Sequence, residues 1–117
     1  MTEQQIKFIY ANEADVLNVA LFGMTAKEWR EDNPELAKNG NMRDYTDLLH
    51  LIILNNLENT NAELIRMNIK QSDRLVQLNE SARNQMEALK NNKNVKELEI
   101  LQKQVKDDDN KYLIENK

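Results

Sequence analysis

NMRDYTDLLHLIILNNLENTNAELIRMN, residues 41–68, is the stretch whose reading decides the fold. No Gly or Pro interrupts it after Gly40, and its length suits a helix of about seven turns. At about 100° per residue, Tyr45, Leu49, Ile52, Ile53, Leu57, Thr60, Leu64 and Met67 share one side. Leu48, Leu51 and Leu54 point elsewhere, so the first half is apolar on more than one face and needs several covering partners. The segment reads as the long central helix (about 42–68) of a small helical bundle.

The rest of the composition agrees. Of 117 residues, 40% are apolar and 31% charged, so little can be buried beyond single helix faces. Two Gly and one Pro leave few turns, and no alternation of β-branched or aromatic residues signals a sheet. The expected class is all-α. Without cysteine, disulfides, thiolate metal sites and cysteine nucleophiles are excluded, and a cytoplasmic setting is expected. The apolar run Leu51–Leu54 is too short to span a bilayer, and the basic-then-apolar pattern of a signal peptide is missing. The net charge of −4 is dispersed. No basic patch stands ready for a phosphate backbone, so direct nucleic-acid binding by this chain alone is not expected.

Along the chain, Thr2-Glu3-Gln4-Gln5 is a capping box that opens a first helix running to about Phe22, with Ile9, Leu17 and Leu21 on its buried side. Gly23 supplies a left-handed C-cap. Thr25-Ala26-Lys27-Glu28 is a second capping box, opening a short helix that ends before Pro34. Trp29, the only Trp, is expected to fill the gap between this helix and the central one. After Met67 the pattern weakens, and Ser72 with Asp73 reads as a fresh start. There Leu75, Leu78, Ala82, Met86 and Leu89 form a narrow, coiled-coil-like seam to about Lys90. Asn91–Asn94 breaks it. A weaker seam follows, Val95, Leu98, Leu101 and Val105, before the pattern dissolves at Asp107. The chain thus divides into a bundle, residues 1–90, and a charged extension, helical or partly disordered, over 91–117. The expected core is Ile9, Leu17, Leu21, Trp29, Tyr45, Leu49, Ile52, Ile53, Leu57 and Leu64.

The blocks FIYANEADVLNVALFGMTAKEWREDNPELAKNGNMRDYTDL and, more loosely, LIILNNLENTNAELI resemble the helical region that follows the DNA-binding domain in KilA-N domain proteins of phages and bacterial mobile elements. The likeness rests on four blocks in order, covers about half of the chain and fades after about Leu89. The residues present do not include the KilA-N domain itself, so its DNA-binding activity does not carry over. What the resemblance implies is an appended helical region.

Individual residues offer little chemistry. Residues 14–33 have the outline of a helix-turn-helix, with Val19, Met24 and Trp29 near its apolar positions. Yet Lys27 and Arg30 are set against Glu28, Glu31 and Asp32, and carboxylates facing phosphates weaken binding. His50 lies three residues from Asp47, a spacing used by bundle metal sites. No second His is available, so the expectation is a hydrogen-bonding histidine, with no metal and no cofactor. No nucleophile turn or phosphate loop suggests an enzyme. Asn55, Asn56, Asn59 and Asn61 are poor interior helix formers, present either to bridge helices or as solvated surface. The resulting expectation is a non-enzymatic protein-interaction or oligomerisation module, with Leu75, Leu78, Ala82, Met86 and Leu89 as its seam to another chain or back onto the central helix. The alternatives are direct DNA reading through residues 14–33, or a stand-alone regulator binding a host or phage protein.

Overall fold

The computed structural model describes residues 1–90 and 92–115, with side chains for all of these except Lys93 and residues 106–115. The described residues form seven α-helices and one 3-10 turn and no strand. The helices are α1 (Glu3–Lys7), α2 (Glu13–Phe22), α3 (Ala26–Asp32), α4 (Pro34–Ala37), α5 (Leu48–Arg66), α6 (Gln71–Lys90) and α7 (Lys93–Glu115), with the 3-10 turn at Met42–Tyr45. The chain is an all-α bundle around a long central helix, α5. None of the described helices is long and apolar enough to cross a membrane.

Both capping boxes form: Thr2 accepts from the Gln5 amide and Thr25 from the Glu28 amide, each reciprocated by the side chain three residues on. The first helix is nevertheless two. At Phe8 the backbone turns extended (φ −67°, ψ 137°), and Asn12 then caps a new start by accepting the Asp15 amide proton at 2.8 Å. Asn is a strong N-cap because its short amide reaches the orphan N–H groups of the first turn. This break corrects Ile9 as a core residue. Off the helix, its 3.6-residue phase is lost, and Ile9 is 83% exposed while neighbouring Tyr10 is buried.

The central helix is also shorter than its apolar pattern. Asn41 caps the 3-10 turn through the Arg43 and Asp44 amides. Thr46 is then extended, and Asp47 caps α5 through the His50 amide at 2.8 Å. Tyr45 therefore precedes the helix and leaves the expected core. It is 46% exposed, stacked on Trp29 and donating its hydroxyl to the Leu36 carbonyl at 3.2 Å. At the other end, Asn68 takes the left-handed conformation (φ 60°). The Ile69 amide then reaches back to the Leu64 carbonyl and the Asn68 amide to that of Ile65, a Schellman closure in which Leu64 and Ile69 also meet at the edge of the core.

The core lies where α2, α5 and α6 meet. Val16, Leu17, Val19 and Ala20 come from α2, Ile53, Leu54, Leu57 and Leu64 from α5, and Leu75, Leu78 and Ala82 from α6, with Tyr10 at one end. Leu21 and Leu49 are half-buried against it, as are Met86 and Leu89. Ile52 and Trp29 are half-buried. Leu54, which points away from the main apolar stripe, is only 2% exposed, and Val16 and Val19 are buried as well, because α2 and α5 are each covered on two sides. After Lys90 the chain restarts at Asn92, whose side chain accepts the Asn94 and Val95 amides and caps α7. The helix runs through Asp107 to Glu115 instead of dissolving; Asn91, Asn116 and Lys117 lie outside the described residues.

Leu78 is fully buried, so Leu78→Ala should lower unfolding free energy by about 2–5 kcal/mol in urea titration monitored by circular dichroism. Asn68→Gly removes the Cβ from a left-handed position and should raise it by several tenths of a kcal/mol, up to about 1.

Candidate functional site

The α6 seam was expected either to meet another chain or to fold back on the central helix, and in the structure it folds back. Leu75, Leu78 and Ala82 are buried among α2 and α5, and Met86 and Leu89 pack against the same cluster. The apolar phase of α6 is therefore that of a bundle helix folded back onto α5, with Leu75, Leu78 and Ala82 buried and Met86 and Leu89 half-buried.

Beside this core lies a polar clamp. Arg74 is buried, and its Nη1 donates to Asn61 Oδ1 at 2.7 Å and to the Glu13 carboxylate. Asn61 Nδ2 donates to Glu13 Oε1 at 2.9 Å, and Arg74 Nε donates to the Ile69 carbonyl at 2.9 Å. One guanidinium thus ties α2, α5, α6 and the α5–α6 turn. Hydrogen bonding from Arg74 holds the Glu13 carboxyl below its ordinary value, against the opposing effect of burial. Gln71 acts similarly at the α1–α2 break, where its amide accepts from the Tyr10 N–H at 2.8 Å and donates to the Tyr10 carbonyl at 3.0 Å. A backbone that leaves helix next to a core needs such partners, since an unpaired buried amide costs about as much as a lost hydrogen bond.

The Asn cluster divides in the same way. Asn61 is 3% exposed and belongs to the clamp. Asn56 donates to Gln85 on α6 at 2.8 Å, and Asn55 and Asn59 are exposed. Arg43 reaches Glu58 on α5, at 2.8 Å across an exposed surface.

A recessed surface lies between α3 and the start of α5. Trp29 stacks on Tyr45 (centroids 5.7 Å apart, planes at 27°), and Phe22 stacks on His50 (5.6 Å, 21°). Together with Met24, Met42, Thr46 and Asp47 these rings line an open cleft of about 280 Å³. His50 Nδ1 lies 2.6 Å from Asp47 Oδ1. Since a carboxylate can only accept, that contact places a hydrogen on Nδ1. Burial tends to raise the Asp47 carboxyl, but the backbone and ring hydrogen bonds of His50 overcome it and hold it below its ordinary value. Among the described residues no group of three or more His, Cys, Asp or Glu side chains is placed to hold a metal ion.

Apolar side chains are left uncovered at several places among the described residues. Phe8 and Ile9 project beside a groove at the α1–α2 break. On α7, Val95 is buried, but Leu98, Leu101 and Val105, spaced three and four residues apart, are 49%, 56% and 59% exposed. These are three of the four residues of the weaker seam read in the sequence. Residues 14–33 form α2, the Gly23 turn and α3; however, Val19 faces the core, and α3 packs on α4 and the 3-10 turn. Its exposed side carries Lys27 and Arg30 with Glu28, Glu31 and Asp32.

Compared with known protein families, with curated proteins and with solved structures, the chain matches none.

Glu13→Gln leaves the buried Arg74 without its counter-charge and should destabilise the fold by about 1–3 kcal/mol in urea titration. The sign with pH follows from the depressed carboxyl. Its stabilisation is complete above the ordinary glutamate range and is lost as pH falls through the folded-state value. The wild-type chain should therefore lose stability on acidification more steeply than the Gln variant.

Proposed function

We propose that the chain is a non-enzymatic helical interaction module, of the kind appended to KilA-N-type DNA-binding proteins of phages or mobile elements, and that it joins two copies through α7. The observation carrying this reading is the exposed Leu98–Leu101–Val105 stripe. At spacings of three and four it has the phase of a coiled-coil seam. α7 spans 23 residues, about 35 Å of helix, yet Val95 is its one described apolar side chain buried against the bundle. Helices of low propensity gain most of their stability from packing an apolar face. Pairing the stripe with its copy supplies that packing without disturbing α2, α5 or α6. Joining two chains would present two DNA-binding heads together and raise their effective concentration on DNA.

A cytoplasmic setting belongs to the same reading and rests on a chain without cysteine. Direct DNA reading through residues 14–33 has less support, because α3 exposes three carboxylates beside two cations.

In light scattering coupled to gel filtration at low micromolar concentration, the chain should run as a dimer. Leu98→Glu with Leu101→Glu should give a monomer whose urea midpoint at the α2–α5–α6 core is unchanged. A wild-type chain that stays monomeric under these conditions would sink the proposal.

A further inference from the structure

The cleft between α3 and the start of α5 has a chemistry that the self-association of α7 does not use. Its walls are the ring pairs Trp29–Tyr45 and Phe22–His50, each within about 30° of parallel (27° and 21°). At its rim stands Asp47, whose side chain is 60% exposed. Asp47 Oδ1 takes both hydrogen bonds from His50, and no described hydrogen bond occupies Oδ2. The residues lining the cleft include neither Lys nor Arg, so the carboxylate is its only fixed charge.

We propose that this cleft receives the guanidinium group of an arginine side chain presented by a partner polypeptide. The occupant follows from shape and charge together. A guanidinium is planar, weakly hydrated and able to stack on aromatic faces while donating to a carboxylate, whereas a lysine ammonium is compact and strongly hydrated. Cations are drawn to the faces of Trp and Tyr by the ring quadrupole. A neutral apolar group would cover the rings and leave Asp47 unanswered. The cleft shares no residue with the α7 stripe, so the two proposals succeed or fail separately.

Trp29, the sole Trp, lies in the wall and reports occupancy directly. The full-length chain is titrated with N-acetyl-argininamide, with its uncharged isostere N-acetyl-citrullinamide, and with N-acetyl-lysinamide. Binding is read by Trp29 emission and by the upfield ring-current shift of each probe's Cδ methylene protons. The arginine probe should saturate in the low millimolar range, about tenfold tighter than the citrulline or lysine probe. Asp47→Asn should weaken the arginine probe by about tenfold while preserving the helix start, because Asn caps α5 as well as Asp. Equal affinity for the citrulline or lysine probe would overturn the proposal, as would no saturable change in either readout. So would unchanged arginine binding in a folded Asp47→Asn chain. Should that variant not fold, the comparison of the three probes on the wild-type chain decides the question alone.

Discussion

Arg74 brings a full positive charge into a bundle interior that has little means of solvating it, and three helices are positioned by the answer. Removing a guanidinium from water is costly unless its donors are met. Here they are met by Glu13 from α2, Asn61 from α5 and the Ile69 carbonyl in the turn before α6. Sliding any one helix along its neighbours would part at least one of these bonds while leaving much of the apolar contact in place. Aliphatic side chains tolerate small shifts; a buried guanidinium with defined acceptors does not. The clamp therefore acts on register more than on total stability.

The same economy of polar partners recurs wherever the backbone leaves helix. Gln71 substitutes for a neighbouring peptide at Tyr10, and Asn79 donates to the Ala20 carbonyl near the end of α2 at 2.9 Å. The Tyr10 hydroxyl closes on the Gln5 carbonyl at 3.1 Å. The Gln71 amide gives the Tyr10 backbone its partners where α1 lies along α6. On α6, Leu75, Leu78 and Ala82 are spent on the core, while Val76 is 42% exposed. Among the outward-facing surfaces are the α7 stripe, the Phe8–Ile9 edge and the aromatic cleft. They lie on different elements, so the proposed self-association and the proposed arginine site would not compete for the same residues.

Much of the architecture was legible from residue order because local chemistry determined it. The capping boxes at Thr2 and Thr25 act within one helical turn, and Gly23 at φ 75° acts through its own backbone. The leucine phases of α5 and α6 depend only on helical geometry. Ile9 and Tyr45 were misplaced for a related reason: a periodicity extends smoothly through a break that a single capping side chain creates, here Asn12 and Asp47. Their polar side chains resemble ordinary surface positions until the helix start is seen. The cleft was less legible still. Trp29, Tyr45 and His50 were each noticed, but their ring stacking joins α3, the 3-10 turn and α5, and no spacing along the chain encodes it.

By itself, then, the sequence determined the helical class, the central helix and which helix faces must be covered. It did so because propensity, capping and amphipathic period are properties of short segments. Tertiary structure decided what covers those faces. It assigned the α6 seam to the interior, left the α7 seam outside, and placed Asn61 in a buried clamp while Asn55 and Asn59 stayed in water. A leucine stripe satisfies itself against any apolar surface of suitable shape, so its period cannot say whether that surface belongs to the same chain. Only the polar groups that must find specific partners, with Arg74 foremost, resolve that ambiguity.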